Sequence, residues 1–165
     1  MRYEYRRPTE AELKKLWDSH VAANPGDACW ERWRTQFLSD NREGRAVTFA
    51  VMCDGEAVGE GTLLLSPLCR AVRGRTLLCD GACVANLNAL RIGAAHEGQG
   101  HISALVREIE AYAVSCGIHR ITIGVEEGEA RTRAIYRHLG YTVPLFSECE
   151  GGETVLYYAK DLGDD

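Results

Sequence analysis

The sequence predicts a mixed α/β fold, because strand patterns of two kinds occur along one chain with helical patterns between them. Over residues 86–125, an apolar run, a glycine-bearing turn, a helical period and a β-branched run follow one another, which is the order of a parallel β-loop-α-β unit. Asp54-Gly55-Glu56 separates two further apolar runs and predicts an antiparallel hairpin. A sheet that contains both units is mixed.

The β-loop-α-β unit is the part of the chain around which the other elements are arranged. Residues 87–92 form its first strand, and residues 118–125, which are rich in β-branched side chains, form its second. Gly117 ends the helix between them. The apolar positions of that helix recur at helical spacing: Ile102, Leu105, Val106, Ile109, Tyr112, Ala113 and Cys116.

The loop of this unit, residues 96–101, has the composition of an anion-binding turn. Gly98 and Gly100 let the backbone approach a ligand, and the helix that follows offers free N–H groups at the positive end of its dipole. Ser103 adds a hydroxyl. Phosphate is the expected ligand, and a tight turn without a ligand is the alternative that the loop alone leaves open.

Two other phosphate-binding architectures are excluded by the same residues. A P-loop requires a lysine after its last glycine, where this chain has His101. A doubly wound dinucleotide fold requires more strands than the roughly 40 residues after the second parallel strand can form.

The residues before the hairpin predict one strand and two helices. Residues 2–7 form the strand, and Thr9 caps the first helix with Glu12 at capping-box spacing. The first helix has an apolar stripe of Leu13, Leu16 and Trp17. The second helix has an aromatic stripe, which is typical of core packing, at Trp30, Trp33, Phe37 and Leu38.

The hairpin strands, residues 46–53 and 57–65, are followed by a segment without a clear period. Glu60 alternates with apolar neighbours in the second strand and is either a solvent-facing residue or a functional carboxylate. Residues 66–81 form either a loop or a strand with a wide excursion. Their arginines, which are either solvated or directed toward an anionic ligand, are Arg70, Arg73 and Arg75.

The C-terminal part predicts a helix and two strands. The helix begins within residues 126–131, and Gly140 ends it. A short strand from Tyr141 is closed by Pro144, and residues 154–160 form a final edge strand after a polar turn. The inner face of the helix is predicted to consist of Thr132, Ile135, Tyr136 and Leu139. The complete order is β-α-α-β-β-β-α-β-α-β-β.

Composition and charge restrict the function classes. The 165 residues are enough for one domain with a sizeable core, and a net charge of -5 argues against nucleic acid as a partner. No apolar run is long enough to span a membrane, and the charged N-terminus lacks a signal peptide, so we expect a cytoplasmic protein. The seven scattered cysteines indicate reduced thiols, and their spacing predicts no metal site.

Three stretches of the sequence resemble the GNAT family of acetyl-CoA-dependent N-acetyltransferases: residues 87–92, 96–105 and 134–141. The loop of that family has the pattern Arg/Gln-x-x-Gly-x-Gly/Ala. In this chain the pattern begins at Glu97, has its first glycine at Gly100 and ends at Ile102, so that Glu97 and Ile102 replace residues of the family pattern. The later Tyr-x-x-Leu-Gly-Tyr matches well, and the resemblance extends over residues 47–142.

The resemblance implies one domain, residues 1–165, with the GNAT-like acyl-CoA N-acyltransferase fold, a splayed mixed sheet with helices on both faces. It implies that acetyl-CoA binds between two diverging parallel strands, with a bulge near residues 93–95 opening the gap and the pyrophosphate on the glycine loop. The residues that the resemblance implies for cofactor binding are Leu90, Arg91, Ile92, Glu97, Gly98, Gln99, Gly100, His101, Ile102 and Ser103.

The implied reaction is direct attack of a primary amine, from a small molecule or a peptide, on the thioester. Tyr136 aligns with the tyrosine that protonates the departing thiolate. A base near neutral pH is also required, and its candidates are Glu60, Asp80 and His96. Asn86 and Asn88 on the cofactor strand suggest a water-mediated route. We therefore expect catalytic roles for Tyr136, Glu60 and Asn88.

Several alternatives stay open at this point. The first two helices of the family flank the acceptor cleft, so Trp30, Glu31 and Trp33 are candidates for contact with the acceptor. A catalytically idle CoA-binding module of the same fold is the alternative function. The resemblance allows a homodimer, and the sequence does not identify the acceptor amine.

Overall fold

The computed structural model describes residues 1–163, which form seven β-strands and four α-helices. The strands are β1 (Tyr3–Arg6), β2 (Ala46–Cys53), β3 (Glu56–Leu64), β4 (Val84–Ile92), β5 (Arg120–Glu126), β6 (Val143–Glu150) and β7 (Glu153–Asp161). The helices are α1 (Glu10–Ala23), α2 (Ala28–Arg42), α3 (His101–Ser115) and α4 (Ala130–His138). The predicted order of elements is confirmed.

All seven strands of the described chain belong to one sheet, in the order β1-β2-β3-β4-β5-β7-β6. Every neighbouring pair is antiparallel except β4 and β5, which are the predicted parallel pair. The crossover between these two strands is α3, and its C-terminal turn passes through Gly117 at a φ of +83°. The sheet is therefore mixed, with its one parallel junction at the centre.

The two faces of the sheet carry different layers. On one face, Val47, Phe49 and Leu63 pack with Leu105 and Ile109 of α3, and α4 joins the same core. On the other face, α1 and α2 cover β2 and β3, and they pack on each other partly through a stacked aromatic pair, Trp17 and Phe37. Because strand residues alternate between faces, Glu60 and Thr62 point to the α1 and α2 side.

Local signals account for the N-terminal helix. The Thr9 side chain accepts a hydrogen bond from the Glu12 backbone N–H, and the Glu12 carboxylate accepts one from Thr9, which is the predicted capping box. Arg6 at the end of β1 donates two hydrogen bonds to the same carboxylate. The cap thus also attaches the helix to the first strand.

The structure corrects three predictions of secondary structure and packing. Pro144 does not close the strand after α4: β6 continues to Glu150, because an edge strand tolerates a residue without an N–H, and the register shifts between Pro144 and Phe146. The last strand is not an edge strand, because β6 pairs with its outer side and places β7 between β5 and β6. Ile135 was predicted on the inner face of α4, but it is 39% exposed.

Membrane-spanning helices and the state of the cysteines concern the described chain as a whole. No helix within residues 1–163 is long and apolar enough to cross a membrane. All seven cysteines are free thiols, and Cys116, whose pattern resembled a core position, is exposed at the end of α3.

Candidate active site

The two parallel strands separate after a short paired segment. β4 and β5 pair only from Val84 to Asn86, opposite Arg120 to Thr122. Asn86 is buried at the end of this segment, and its side-chain amide donates hydrogen bonds to the carbonyl and the hydroxyl of Thr122. Beyond Asn86, the edge of β4 that faces β5 has no partner strand among the described residues, which leaves backbone N–H and C=O groups available to a ligand.

A β-bulge in β4 produces the divergence. Thr62 is opposite Asn88 while Glu60 is opposite Arg91, so β4 has one residue more than β3 over this interval. Ala89 takes up the extra residue with a φ of +56°, a left-handed conformation that alanine rarely adopts. The bulge was predicted near residues 93–95, but that segment is a tight 3₁₀ turn. The prediction of the position was wrong, because the residue that takes up the bulge is an alanine, which carries no local signal for a positive φ.

The glycine loop has the geometry of an anion site. Gly98 and Gly100 have φ values of +73° and +82°, and a β-carbon at either position would meet nothing within 4 Å. Glycine is needed here for its conformation and not for space. The N–H groups of residues 98–103 donate no hydrogen bond within the described chain, and α3 begins at His101 without a side-chain cap. These donors point to an anion that binds at the helix N-terminus.

Two tyrosines of β1 hold this loop in place. The Tyr5 hydroxyl is 2.8 Å from Nδ1 of His101, and the Tyr3 hydroxyl is 2.9 Å from Nδ1 of His96. Gln99 contacts the other ring nitrogen of His101 at 3.2 Å. His101 is buried beneath the loop, so the N-terminal strand fixes the position of the first turn of α3.

Glu97, which departs from the family pattern, pairs with an arginine of α4. Its carboxylate is 3.4 Å from the Arg131 guanidinium of α4, and both side chains are substantially exposed. The pair connects the loop after β4 to the helix after β5. It therefore lies across the outer end of the gap between the two strands.

Tyr136 lies on α4, in the core cluster that includes Leu105 and Val125. It is 8% exposed, and burial raises the pKa of its phenol to about 12. Its hydroxyl makes no hydrogen bond to residues 1–163, although the neighbouring Tyr141 donates to Glu110 at 3.0 Å. A buried phenol that stays protonated and has no internal partner is suited to donate a proton to a ligand.

A cleft of about 690 Å³ lies on the α1 and α2 side of the sheet. Asn88 and Ala89 at the bulge form part of its floor, and the segment between β3 and β4, which is a loop, forms one wall. Trp33 is 40% exposed in the opposite wall, and no residue of α2 is fully buried. The aromatic stripe of α2 was predicted as core, and this prediction is wrong for Trp33.

Behind the cleft lies a buried cluster of polar groups. Glu60 is 1% exposed, and its Oε2 is 2.5 Å from Nε2 of His20 and 3.4 Å from Nε of Arg91. Arg91 lies over the rings of Trp17 and Trp30, with its guanidinium carbon 5.4 and 5.3 Å from their centroids. In the described chain, the buried side-chain polar atoms without a hydrogen bond are Trp17 Nε1, Glu60 Oε1 and Arg91 Nε.

Glu60, His20 and Arg91 also line a second cavity of about 360 Å³ between α1 and the end of β4. Arg91 borders both cavities, so it separates the cleft from the second cavity. Buried polar groups that lack a partner are commonly satisfied by ordered water or a ligand. The three unpaired atoms therefore mark a buried polar site between the two cavities.

The other two candidate bases are placed less well. Asp80 accepts hydrogen bonds from the backbone N–H groups of Val84, Ala82 and Cys83, which lower the pKa of its carboxyl to about 2. That carboxylate stabilises the turn before β4. His96 is bonded to Tyr3 and lines the second cavity but not the cleft.

Comparison with known proteins decides the family. The sequence profile of the acetyltransferase (GNAT) family matches residues 10–141. The chain belongs to the GNAT family of acetyltransferases. No match is found among curated protein sequences.

Solved structures similar to this GNAT chain have the same fold. The ribosomal-protein-alanine N-acetyltransferase of Brucella melitensis has a TM-score of 0.69 at 20% identity, covering 96% of this chain and 99% of its own. A Salmonella typhimurium protein solved with its cofactor acetyl-CoA has a TM-score of 0.71 at 13% identity, covering 100% and 96%. An aminoglycoside 6'-N-acetyltransferase solved with coenzyme A has a TM-score of 0.67 at 14% identity, covering 96% of each chain.

The GNAT fold brings most of the predicted site residues to one gap. The glycine loop lies at its outer end, the free edge of β4 runs along it, and Asn88 lies at its inner end beside the cleft. Glu31 is not among the cleft residues. His20, Arg131 and Trp17 were missed, because a helical histidine, an exposed arginine and a core tryptophan carry no distinguishing local pattern. Only the proximity of distant segments reveals them.

Proposed function

We propose that this GNAT protein is an N-acetyltransferase that transfers the acetyl group of acetyl-CoA to a primary amine by direct attack on the thioester. The observation that carries the proposal is that the unpaired edge of β4 has the cleft at its bulge and the glycine loop with free N–H groups after its end. The loop offers anion-binding N–H groups, and the cleft offers space for a second substrate. Solved relatives with bound acetyl-CoA or coenzyme A support this assignment.

The backbone performs most of the cofactor binding in this proposal. The N–H groups of residues 98–103 hold the pyrophosphate at the positive end of α3. The free edge of β4 at Leu90, Arg91 and Ile92 pairs with the amide groups of the pantetheine as a short strand would. One N–H of this edge, next to the bulge, polarises the thioester carbonyl.

Tyr136 is the proposed proton donor to the departing sulfur. As the amine nitrogen forms its bond to the acetyl carbon, the carbon–sulfur bond breaks and the sulfur gains negative charge. The Tyr136 phenol, whose pKa burial raises to about 12, is protonated at neutral pH, and its hydroxyl has no acceptor within residues 1–163. It transfers its proton to the thiolate and recovers one from solvent afterwards.

Glu60 with His20 is the proposed route by which the amine loses its proton. The amine arrives mostly protonated and must become neutral before attack. Glu60 has one oxygen bonded to His20 and one without a partner, and Arg91 separates it from the cleft. Water near Arg91 connects the amine to Glu60, and Asn88 orients the amine or that water at the cleft floor. His20 relays the proton toward the second cavity.

Isosteric variants test the two roles. Tyr136→Phe should lower kcat at least tenfold and leave the Kd for acetyl-CoA within about twofold, since only the proton donor is removed. Glu60→Gln should lower kcat by about two orders of magnitude or more, since the proposed proton acceptor is removed. Thiol release gives the rates, and calorimetry gives the cofactor Kd.

Two matched controls separate catalysis from folding. Tyr158→Phe removes another tyrosine hydroxyl, and Glu56→Gln removes an exposed carboxylate from the same strand as Glu60. Both should keep wild-type rates. Unchanged turnover in Tyr136→Phe would show that Tyr136 packs in the core and does not donate the proton. Acetyl-CoA binding without acetylation of any amine in a broad panel would instead favour the catalytically idle CoA-binding module.

A further inference from the structure

Arginine side chains dominate the charge of the cleft, although the chain as a whole is acidic with a net charge of -5. Five arginines and three carboxylate residues are among the cleft residues. An amine acceptor with several positive charges would be repelled here. An excess of arginines in the cleft of an acidic protein favours the approach of an anionic ligand to the cleft.

Two of these arginines have structural roles. Arg75 donates to Glu148, to the Tyr157 hydroxyl and to backbone carbonyls of its own loop, which fixes the loop against β6 and β7. Arg73 is paired with Glu150. These contacts explain why part of the arginine cluster is present without any ligand.

Of the other three arginines, Arg32 and Arg70 have no carboxylate partner within residues 1–163, and Arg91 is paired only with the buried Glu60. Arg70 makes no ion pair or hydrogen bond with the part of the chain that the structure describes, and Arg32 contacts only the sulfur of Cys29. Arg91 is near Glu60 at 3.4 Å, yet its guanidinium makes no hydrogen bond within residues 1–163 and its buried Nε lacks a partner. A buried donor such as Arg91 Nε is costly to leave unpaired, whereas Arg32 and Arg70 are exposed and available to a ligand at the rim of the cleft.

The Arg91 guanidinium is held in one orientation before any ligand binds. Its guanidinium is stacked over two indole rings at 5.3 and 5.4 Å, so its planar face is covered and its N–H edge is the part that remains to bind a ligand. A planar fork of N–H donors matches a carboxylate in a two-point geometry. The apolar surroundings of Trp33 and Phe37 then suit an uncharged substituent of the same ligand.

We propose that the acceptor is an amine that also carries a carboxylate and an apolar substituent, of the amino acid or short peptide class. Arg91 binds the carboxylate at the inner end of the cleft, and Arg70 and Arg32 attract it at the rim. The inference rests on the proposed acetyl transfer for its reaction, but the recognition of a carboxylate is measurable without turnover.

The test compares matched amines with and without the carboxylate. Phenylalanine is compared with phenethylamine, and 6-aminohexanoate with hexylamine, while spermidine and kanamycin represent polycations. Wild type is compared with the double variant Arg32→Gln/Arg70→Gln and with Arg91→Lys. Because each amine has the same basicity with every enzyme, the ratio of variant to wild-type kcat/KM cancels differences in amine pKa.

Arg42→Gln is the matched control, because Arg42 is an exposed arginine of α2 that pairs with Glu10 outside the cleft. We expect the double variant to lose at least fivefold in kcat/KM for phenylalanine and less than twofold for phenethylamine. Arg91→Lys should lose at least tenfold for phenylalanine, since a single ammonium replaces the two-point fork. Arg42→Gln should change neither.

A binding measurement separates this inference from the proposed reaction. In the presence of CoA, N-acetylphenylalanine should bind wild type at least tenfold more tightly than N-acetylphenethylamine by calorimetry, and the difference should shrink in the double variant. Equal binding of the two acetylated compounds, or a preference for spermidine as the acceptor, would refute the proposed recognition of a carboxylate. A higher kcat/KM for O-phosphoethanolamine than for ethanolamine, without a preference for the carboxylate in the other two pairs, would also refute the inference. It would indicate that the cleft recognises a phosphate. Binding of the carboxylate without acetylation of any amine would leave the inference standing and remove the proposed function.

Discussion

Replacing Glu97 by glutamine should tighten acetyl-CoA binding. The carboxylate is half-exposed and 3.4 Å from Arg131, so it both adds negative charge near the proposed pyrophosphate site and holds a guanidinium away from it. Glutamine removes the repulsion and frees Arg131 to approach the phosphates. Both effects strengthen the binding of acetyl-CoA.

The magnitude follows from Coulomb's law for partly exposed charges. At a separation of about 7 Å, one unit of charge acting on another contributes roughly 0.6 kcal/mol in water and about 2.4 kcal/mol at an effective dielectric of 20. Partial neutralisation by Arg131 and screening by salt place the expected gain near 1 kcal/mol, or about fivefold in Kd at low salt. Raising the salt to about 0.5 M should remove most of it.

Calorimetric titration of acetyl-CoA at two salt concentrations measures this gain. Arg131→Gln should weaken binding, because Glu97 then loses its neutralising partner. Glu10→Gln is the control, since it removes a carboxylate from an exposed Glu–Arg pair on the opposite face of the sheet. Equal dissociation constants in all four proteins would show that Glu97 does not sense the pyrophosphate. Weaker binding in Glu97→Gln would refute the reasoning and make the Glu97–Arg131 pair a support of the loop.

Three further predictions follow from the contacts of the site and of the first helix. Tyr5→Phe removes the hydroxyl that contacts His101, so we expect acetyl-CoA binding to weaken about threefold to tenfold in calorimetry while the melting temperature changes little. Because burial raises the pKa of Tyr136 to about 12, the proton donor stays intact across the neutral range, and the pH profile of kcat should show no loss of the acid form below about pH 10. Hydrogen bonds from Arg6 and the Thr9 backbone lower the pKa of the Glu12 carboxyl to about 2. The contribution of Glu12 to stability is therefore present above about pH 4.5 and is lost as the pH falls toward 2. In urea denaturation, Glu12→Gln should reduce the free energy of unfolding by about 1 kcal/mol at pH 7 and by less at pH 3.

The fold was largely predictable because its elements carry strong local signals. The Asp54-Gly55 turn, the capping box at Thr9 and the glycine stop at Gly117 are each encoded within a few residues. The β6–β7 pair was harder to predict from the sequence. Pro144 indicates a strand end in most contexts, and it is accommodated here only because β6 lies at the edge of the sheet.

The candidate site divides in the same way. The turn at Gly98 and Gly100 could be predicted from a short pattern, since glycine is the residue that favours a positive φ. The role of Tyr136 stays a prediction that rests on the family resemblance. The cluster of Glu60, His20 and Arg91 could not, because its members come from α1, β3 and β4 and meet only in the folded chain. Burial of Glu60, which alternation alone left open, depends on the helix that covers it.

The bulge at Ala89 connects the two halves of the proposed mechanism. Asn86 and Asn88 point to the cleft face of β4, so strict alternation would place residue 90 on that face and residue 91 on the α3 face. The extra residue reverses this order. Leu90 and Ile92 pack against the α3 core, where a β-carbon on Gly61 would lie 3.0 Å from Leu90, and Arg91 is on the cleft face opposite Glu60. The insertion in β4, which lies just beyond the last residue paired with β5, thus also turns Arg91 toward the cleft in which we propose that the acceptor binds.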